Sequence, residues 1–209
     1  MGKDAPMWVS HKGRIVFAHN PRTAGASMVA ALKRVFDDFE PFAPDPDAPF
    51  HVEDHGVDRP SDTGNFTLIS AVRNPYAREL SFYSWRRARK GDEETIRQAR
   101  GLDFREYVRW RLDYVPPSAH QRRVLGIQSR YRLGIFVDVL VRYEDLPEAF
   151  VRFPGIREAD VALPHAGEAA SPPYQLEAYY DRETMDLVRL YAAADFLNYG
   201  YDPFRLPLP

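Results

Sequence analysis

Residues 14–39 read RIVFAHNPRTAGASMVAALKRVFDDF, and this stretch decides the fold. Its opening, residues 14–19, is a short run of mainly β-branched and apolar side chains, which predicts a buried strand. Residues 20–25 have the composition of a turn, and residues 27–39 repeat apolar side chains at helical spacing. The succession of strand, glycine-containing loop and helix is typical of α/β proteins.

The same succession returns further along the chain. Residues 66–72 predict a second strand, and the helix that follows it begins at Pro75, a residue suited to the first helical turn. A third strand is predicted at residues 136–141. Further helices are predicted over residues 103–114, 118–130 and 181–195, the last capped by Asp181 with Thr184 behind it. This alternation predicts one α/β domain over residues 1–209, with a parallel sheet flanked by helices.

Composition excludes several classes of protein. Of the 209 residues, 44% are hydrophobic and 28% are charged, as in an ordinary globular chain. The net charge of −2 supplies no overall field for nucleic acid or an anionic membrane, so neither is expected as a partner. The absence of cysteine excludes a disulfide scaffold and a thiol nucleophile. No apolar run is long enough for a membrane span or a signal peptide, which predicts a soluble, cytoplasmic protein.

Two polar segments follow predicted strands, and parallel sheets bind ligands beyond the carboxyl ends of their strands. In residues 19–27, small side chains let backbone N–H groups turn toward an anion, and the helix that follows adds its dipole. Arg22 and the hydroxyls of Thr23 and Ser27 add further donors. The loop is not a Walker A motif, which requires Gly-Lys-Ser/Thr. A plain strand-to-helix turn with Arg22 in a surface ion pair stays open as the alternative.

The second segment contains Arg73 at a strand end and Ser81 eight residues later. An arginine can hold a phosphate through two parallel hydrogen bonds, and a serine two turns into the helix can complete the contact. Alternatively, Arg73 forms a salt bridge with a carboxylate, and Ser81 is a small residue at a packing interface. Anion sites at two neighbouring strand ends predict a ligand with phosphates at both ends of a nucleoside.

These segments resemble motifs of the carbohydrate (Golgi-type) sulfotransferase family. Residues 17–27, FAHNPRTAGAS, resemble its 5′-phosphosulfate loop, and residues 72–83, VRNPYARELSFY, resemble its 3′-phosphate motif. Residues 142–146, RYEDL, are similar to its late strand-to-helix segment. Residues 191–196, YAAADF, and 199–202, YGYD, are similar to its C-terminal signature. The resemblance therefore extends over most of the chain.

The resemblance implies a P-loop-like sulfotransferase fold and an enzyme that uses 3′-phosphoadenosine 5′-phosphosulfate (PAPS) as co-substrate. Such an enzyme transfers the sulfuryl group to a hydroxyl of an acceptor, here expected to be a carbohydrate or a small molecule. No metal is expected. Carried over residue by residue, Arg73 and Ser81 would hold the 3′-phosphate, and the 5′-phosphosulfate would be held by Arg22, Thr23, Ala24, Gly25, Ala26 and Ser27.

Two positions depart from the family pattern. Arg22 stands where the family usually has a lysine on the bridging oxygen, which replaces a point charge with a planar fork of donors. Ala26 stands where the family commonly has threonine, so one hydroxyl donor is missing.

Sulfuryl transfer also needs a base for the acceptor hydroxyl, and a histidine has a suitable pKa. His51 is the first candidate, because it matches a histidine that opens this segment in many family members. His55 and Glu53 are fallback candidates, and His19 and His165 are further ones. The alternative is that residues 50–55 are solvated loop residues. The basic run at residues 85–90 could contact an anionic acceptor, although a solvated helix end explains it as well.

Two other functions compete with the sulfotransferase hypothesis. One is a non-catalytic protein of the same fold that binds a nucleotide or a sulfated glycan. The other is a small kinase using ATP and Mg²⁺. It is disfavoured because Gly-Lys-Ser/Thr is absent and because Arg73, rather than an acidic metal ligand, follows the second strand. The acceptor and the oligomeric state are not predicted.

Overall fold

The structure is a computed structural model that describes residues 7–42, 65–88, 100–113, 128, 137–151, 153, 156, 161, 163 and 175–207. The chain divides into two compact units. The first comprises Met1–Val72 and Ser118–Gly167, and the second comprises Arg73–Pro117 and Glu168–Pro209.

The first unit is built on a five-stranded sheet with the order β3-β1-β2-β4-β5. Strands β2, β4 and β5 run parallel to one another, whereas β1 is antiparallel to both of its neighbours. The strand bounds are Met7–Ser10 for β1, Ile15–Ala18 for β2, Glu40–Pro41 for β3, Thr67–Val72 for β4 and Val139–Arg142 for β5.

The sheet is therefore mixed, which corrects the expectation of a purely parallel one. The predicted strands at residues 14–19 and 66–72 are confirmed as β2 and β4, but β1 and β3 were not predicted. Residues 11–14 join β1 to β2, and so short a connection permits only antiparallel pairing. The turn is closed by Ser10, whose Oγ accepts a hydrogen bond from Gly13 N at 2.8 Å.

Strand β5 begins three residues later than the prediction of 136–141. The backbone N–H of Asp138 donates to Leu68 O at 2.8 Å, and its carboxylate accepts from Leu68 N at 2.7 Å. The Asp138 side chain thus takes the place of a backbone acceptor at the start of the ladder. A 3₁₀ turn, Tyr143–Asp145, and a short helix follow β5.

Helix α1, Gly25–Val35, packs Met28, Ala31 and Leu32 into a core that includes Phe17 of β2 and Ile69 of β4. The short helix α4, Leu146–Phe150, adds Leu146 and Phe150 to the same core. Helices thus cover the sheet through buried apolar side chains, and this packing fixes the start of α1 relative to the end of β2.

Helix α1 ends four residues before the predicted boundary at Phe39. Phe36 already has an extended backbone, with φ −118° and ψ 110°. The Asp38 carboxylate accepts hydrogen bonds from Ser10 Oγ at 2.6 Å and from Lys12 N at 2.8 Å. Because acidic side chains are unfavourable at a helix C-terminus, Asp38 is better placed bonding the β1–β2 turn than extending the helix.

The second unit is helical and has an aromatic core. Its helices are α2 (Pro75–Ala88), α3 (Phe104–Asp113), α5 (Arg182–Tyr191) and α6 (Ala193–Tyr199), with a 3₁₀ turn at Leu176–Ala178. Tyr76 of α2 contacts Tyr180 and Phe196, with ring centroids 5.2 and 5.0 Å away. Tyr83 contacts Phe104 and Tyr107 of α3 in the same way, at 5.3 and 5.2 Å.

The helix predicted over residues 103–114 is confirmed as α3. The helix predicted over residues 181–195 is two helices, with a break at Ala192. Its predicted cap is present, because Asp181 Oδ1 accepts from Thr184 N at 2.8 Å and Thr184 Oγ1 accepts from Asp181 N at 2.9 Å. The helix predicted over residues 118–130 lies outside the described residues, apart from Gln128. Among the helices that are described, none is long and apolar enough to cross a membrane.

Candidate functional site

The loop between β2 and α1 contains two non-glycine residues with positive φ. Arg22 and Ala24 both adopt left-handed conformations, with φ 67° and 66°. Left-handed residues within a turn direct backbone N–H groups to one side and create a concave site for anions. Ala24 caps α1 but has no side-chain acceptor for the first-turn N–H groups, and that turn contains no acidic residue. The positive end of the helix dipole therefore faces the loop without a neutralising carboxylate of its own.

Gly25 is required here by the close approach of His19. A Cβ added to Gly25 would lie 1.9 Å from Cδ2 and 2.0 Å from Nε2 of His19, so any larger residue would displace the imidazole. The imidazole also stacks on Phe17, with centroids 6.2 Å apart. In this position His19 supports the loop from the end of β2.

Asn20 and Thr23 hold the loop from within. Thr23 is buried, and its hydroxyl donates to Asn20 O at 2.7 Å, so its hydrogen is directed into the loop. Asn20 Nδ2 donates to Ala71 O at 3.1 Å and to Gln128 Oε1 at 3.2 Å. The bond to Ala71 ties the loop to the carboxyl end of β4, the strand parallel to β2. The Thr23 hydroxyl, which the sequence predicted as a donor to an anion, is therefore engaged within the loop.

The remaining loop residues differ in exposure. Ser27 is buried in the first turn of α1, whereas Ala26 is exposed and Arg22 is half-buried. All six predicted loop residues, Arg22, Thr23, Ala24, Gly25, Ala26 and Ser27, thus lie between β2 and the first turn of α1, as the sequence predicted.

In the second unit, the start of α2 carries the other predicted anion residues. Asn74 Oδ1 accepts from Tyr76 N at 3.0 Å, which is the hydrogen bond of a helix cap, and Pro75 begins the helix. Arg73, immediately before this cap, is half-buried, and Ser81 is 2% exposed on α2. Tyr76 is itself anchored, because its hydroxyl donates to Pro203 O at 2.5 Å.

Two residues before Ser81, Glu79 of α2 forms a buried ion pair with Arg111 of α3. Arg111 of α3 donates to both carboxylate oxygens of Glu79, at 3.1 and 3.2 Å, and both side chains are nearly inaccessible. Burial alone would raise the pKa of Glu79, but the charge and hydrogen bonds of Arg111 outweigh it and lower the pKa. The same pairing raises the pKa of Arg111, against the lowering effect of burial. Glu79 is therefore the partner of Arg111 in a buried ion pair.

A second buried cation, Arg86, lies near the end of α2. Its guanidinium donates to the Tyr107 hydroxyl and lies 5.2 Å from the centre of the Phe82 ring and 5.8 Å from that of Trp110. Burial lowers the pKa of Arg86, and burial raises the pKa of Tyr107 to about 12. Of the basic run at residues 85–90, Arg86 thus belongs to the interior, whereas Arg87 is exposed.

Of the candidate bases, His19 is described at the end of β2, and the other four lie outside the described residues. These four are His51, its fallbacks Glu53 and His55, and also His165. His51 and His55 remain predictions from the resemblance alone.

The sequence did not identify two residues that hold the loop. The sequence predicts Asn20 only as part of a turn. Gln128 carries no local signal, because its contact with Asn20 spans 108 positions. The close contact between His19 and Gly25 is likewise not predicted from the sequence, although a glycine soon after a histidine at a strand end is compatible with it. Comparison with protein-family models, with curated proteins and with solved structures finds no match to this chain.

Proposed function

We propose that this protein is a PAPS-dependent sulfotransferase that transfers a sulfuryl group to a hydroxyl of a carbohydrate or small-molecule acceptor. The observation that carries the proposal is the β2–α1 loop, where two left-handed residues precede an α1 N-terminus without side-chain capping. Such a loop supplies backbone N–H groups and a helix dipole to a phosphate-like anion. The motif resemblance supplies the identity of that anion.

In this proposal the loop binds the 5′-phosphosulfate. Backbone N–H groups of residues 23–27 would contact its oxygens, and Arg22 would neutralise the bridging oxygen as charge develops on it. Arg73 would hold the 3′-phosphate as a two-pronged donor, with Ser81 completing the contact. These residues account for both phosphates of the nucleotide without a metal ion.

The reaction is an in-line displacement at sulfur. The acceptor oxygen forms a new bond to sulfur while the bond from sulfur to the bridging phosphate oxygen breaks. The electron pair of that bond leaves with adenosine 3′,5′-bisphosphate, and the hydroxyl proton passes to a base. His51 is proposed as that base, with His55 and Glu53 as alternatives.

A panel of ligands tests this function by thermal shift. We expect PAPS and adenosine 3′,5′-bisphosphate to stabilise the protein, by about 2.7 kcal/mol at a hundred times the dissociation constant. Stabilisation and subsequent sulfuryl transfer should survive EDTA. A preference for ATP with Mg²⁺ would instead support the kinase hypothesis, and binding of PAPS without transfer to any of a range of hydroxyl acceptors would support a non-catalytic binding protein.

A further inference from the structure

The side chain of Asn20 is the point where the anion loop is fastened to the rest of its unit. It is 1% exposed and directs Nδ2 at two acceptors, Ala71 O at 3.1 Å and Gln128 Oε1 at 3.2 Å. Gln128 is itself 0% exposed. Both hydrogen bonds are therefore shielded from water. If either is lost, water cannot readily take the place of the missing partner.

The main chain of Asn20 is held as well. Its carbonyl accepts the Thr23 hydroxyl at 2.7 Å. The two left-handed residues of the loop are Arg22, which lies between Asn20 and Thr23, and Ala24, which follows Thr23. Residues with a Cβ adopt this conformation only when their surroundings impose it. Asn20 connects the strained loop to β4 on one side and to Gln128 on the other.

One feature of Asn20 opposes stability. Its Oδ1 is buried and has no hydrogen-bond partner in the described part of the chain. A buried acceptor without a donor is unfavourable, and it persists where another requirement fixes the side chain. Here that requirement is the pair of bonds from Nδ2, which hold the amide in this orientation.

We propose that Asn20 and Gln128 form a positioning pair that keeps the β2–α1 loop in its anion-binding conformation. Gln128 acts through Asn20 and does not touch the ligand. The identity of the ligand rests on the proposed function, but the effect of the pair on the loop does not.

Substitution of Gln128 by leucine removes the acceptor while keeping a similar volume. In the ligand-free protein, amide hydrogen exchange over residues 22–27 should become about tenfold faster, the size of one lost buried hydrogen bond. Exchange in β1 should stay unchanged. Gln175→Leu is the matched control, because Gln175 is exposed in the second unit.

Calorimetry with two mononucleotides separates positioning from general damage. Gln128→Leu should weaken adenosine 5′-monophosphate by about tenfold and leave adenosine 3′-monophosphate within about twofold. Should Gln128→Leu fail to fold, Gln128→Met removes the same acceptor with a more adaptable side chain.

Unchanged loop exchange in the substituted protein would overturn the inference, and so would equal weakening of both mononucleotides. If the wild-type protein binds neither mononucleotide, the proposed function fails, and the exchange measurement alone decides whether the pair holds the loop.

Discussion

At the scale of single residues, the loop depends on Gly25 for space rather than for backbone freedom. Gly25→Ala places a methyl group within the His19 ring. We expect a loss of about 1–3 kcal/mol in the free energy of unfolding, the usual cost of overpacking, measured by urea denaturation. Gly101→Ala is the control, because a Cβ there would meet nothing within 4 Å.

Removing the His19 imidazole should relieve the clash with a methyl group at position 25. In a protein that already carries His19→Ala, adding Gly25→Ala should cost much less than it does in the wild type. Equal costs in both backgrounds would show that His19 is not what excludes a side chain at position 25.

Glu79 tests the buried ion pair of the second unit. Glu79→Gln leaves Arg111 buried without its counter-charge, and we expect it to cost about 3–5 kcal/mol near neutral pH. The pKa of Glu79 is lowered in the folded protein, so its stabilising effect is complete above the unfolded value of about 4.3. It is lost as pH falls through the lower folded pKa, because protonation removes the charge.

Urea denaturation over a pH series checks that sign. The difference between wild type and Glu79→Gln should shrink only below about pH 4.3. The double variant Glu79→Met/Arg111→Met should recover most of the loss, since it removes both charges. A difference that grows on acidification would contradict the assignment.

His51 is the residue whose predicted role is chemical. If it accepts the proton of the acceptor hydroxyl, His51→Ala should lower kcat by about 10²-fold or more, with little change in PAPS affinity. The wild-type rate should also fall at low pH as the imidazole becomes protonated. The comparison is made with His55→Ala and Glu53→Gln in one transfer assay. Near-normal kcat for His51→Ala, with collapse of either of the others, would move the role to that residue.

At the scale of elements, the start of α5 depends on a capping box. Asp181→Ala removes the acceptor for Thr184 N, and we expect a loss of about 0.5–2 kcal/mol in the free energy of unfolding. Arg105 also pairs with Asp181 at the surface. Arg105→Ala therefore serves as the control and should cost at most about 1 kcal/mol, as exposed ion pairs do. A larger loss for Arg105→Ala would assign the effect to the ion pair.

The elements that sequence predicted well are those with a strong local pattern. Strands β2 and β4 are dense in apolar, β-branched side chains. The cap of α5 is indicated by Asp181 followed three residues later by Thr184. Strand β3 has only two residues, too few for a pattern, and β1 has a single β-branched side chain, Val9, among its four residues. The break between α5 and α6 falls at Ala192, with neither glycine nor proline to mark it. Local helix propensity therefore does not report it.

The same distinction applies to the candidate site. The loop from Arg22 to Ser27 was predicted because small residues between a strand and a helix are a local signal. The contact between Asn20 and Gln128 was not, because it joins distant parts of the chain. The base remains a prediction from resemblance, since His51 lies outside the described residues.

At the scale of the whole molecule, the proposed function uses two segments of the chain for one nucleotide. In that proposal the loop after β2 would hold the 5′-phosphosulfate, and Arg73 with Ser81 would hold the 3′-phosphate. A ligand with both phosphates should therefore bind more tightly than either mononucleotide, and removing Arg73 should abolish only the advantage of the 3′-phosphate.

Calorimetric titration of wild type and Arg73→Ala with adenosine 3′,5′-bisphosphate and with adenosine 5′-monophosphate tests this requirement most directly. We expect Arg73→Ala to weaken the bisphosphate by about 2 kcal/mol or more, because a charged hydrogen-bond partner is lost, while the 5′-monophosphate changes little. Equal weakening of the two ligands, or no preference of the wild type for the bisphosphate, would contradict the assignment of a nucleotide held at both phosphates.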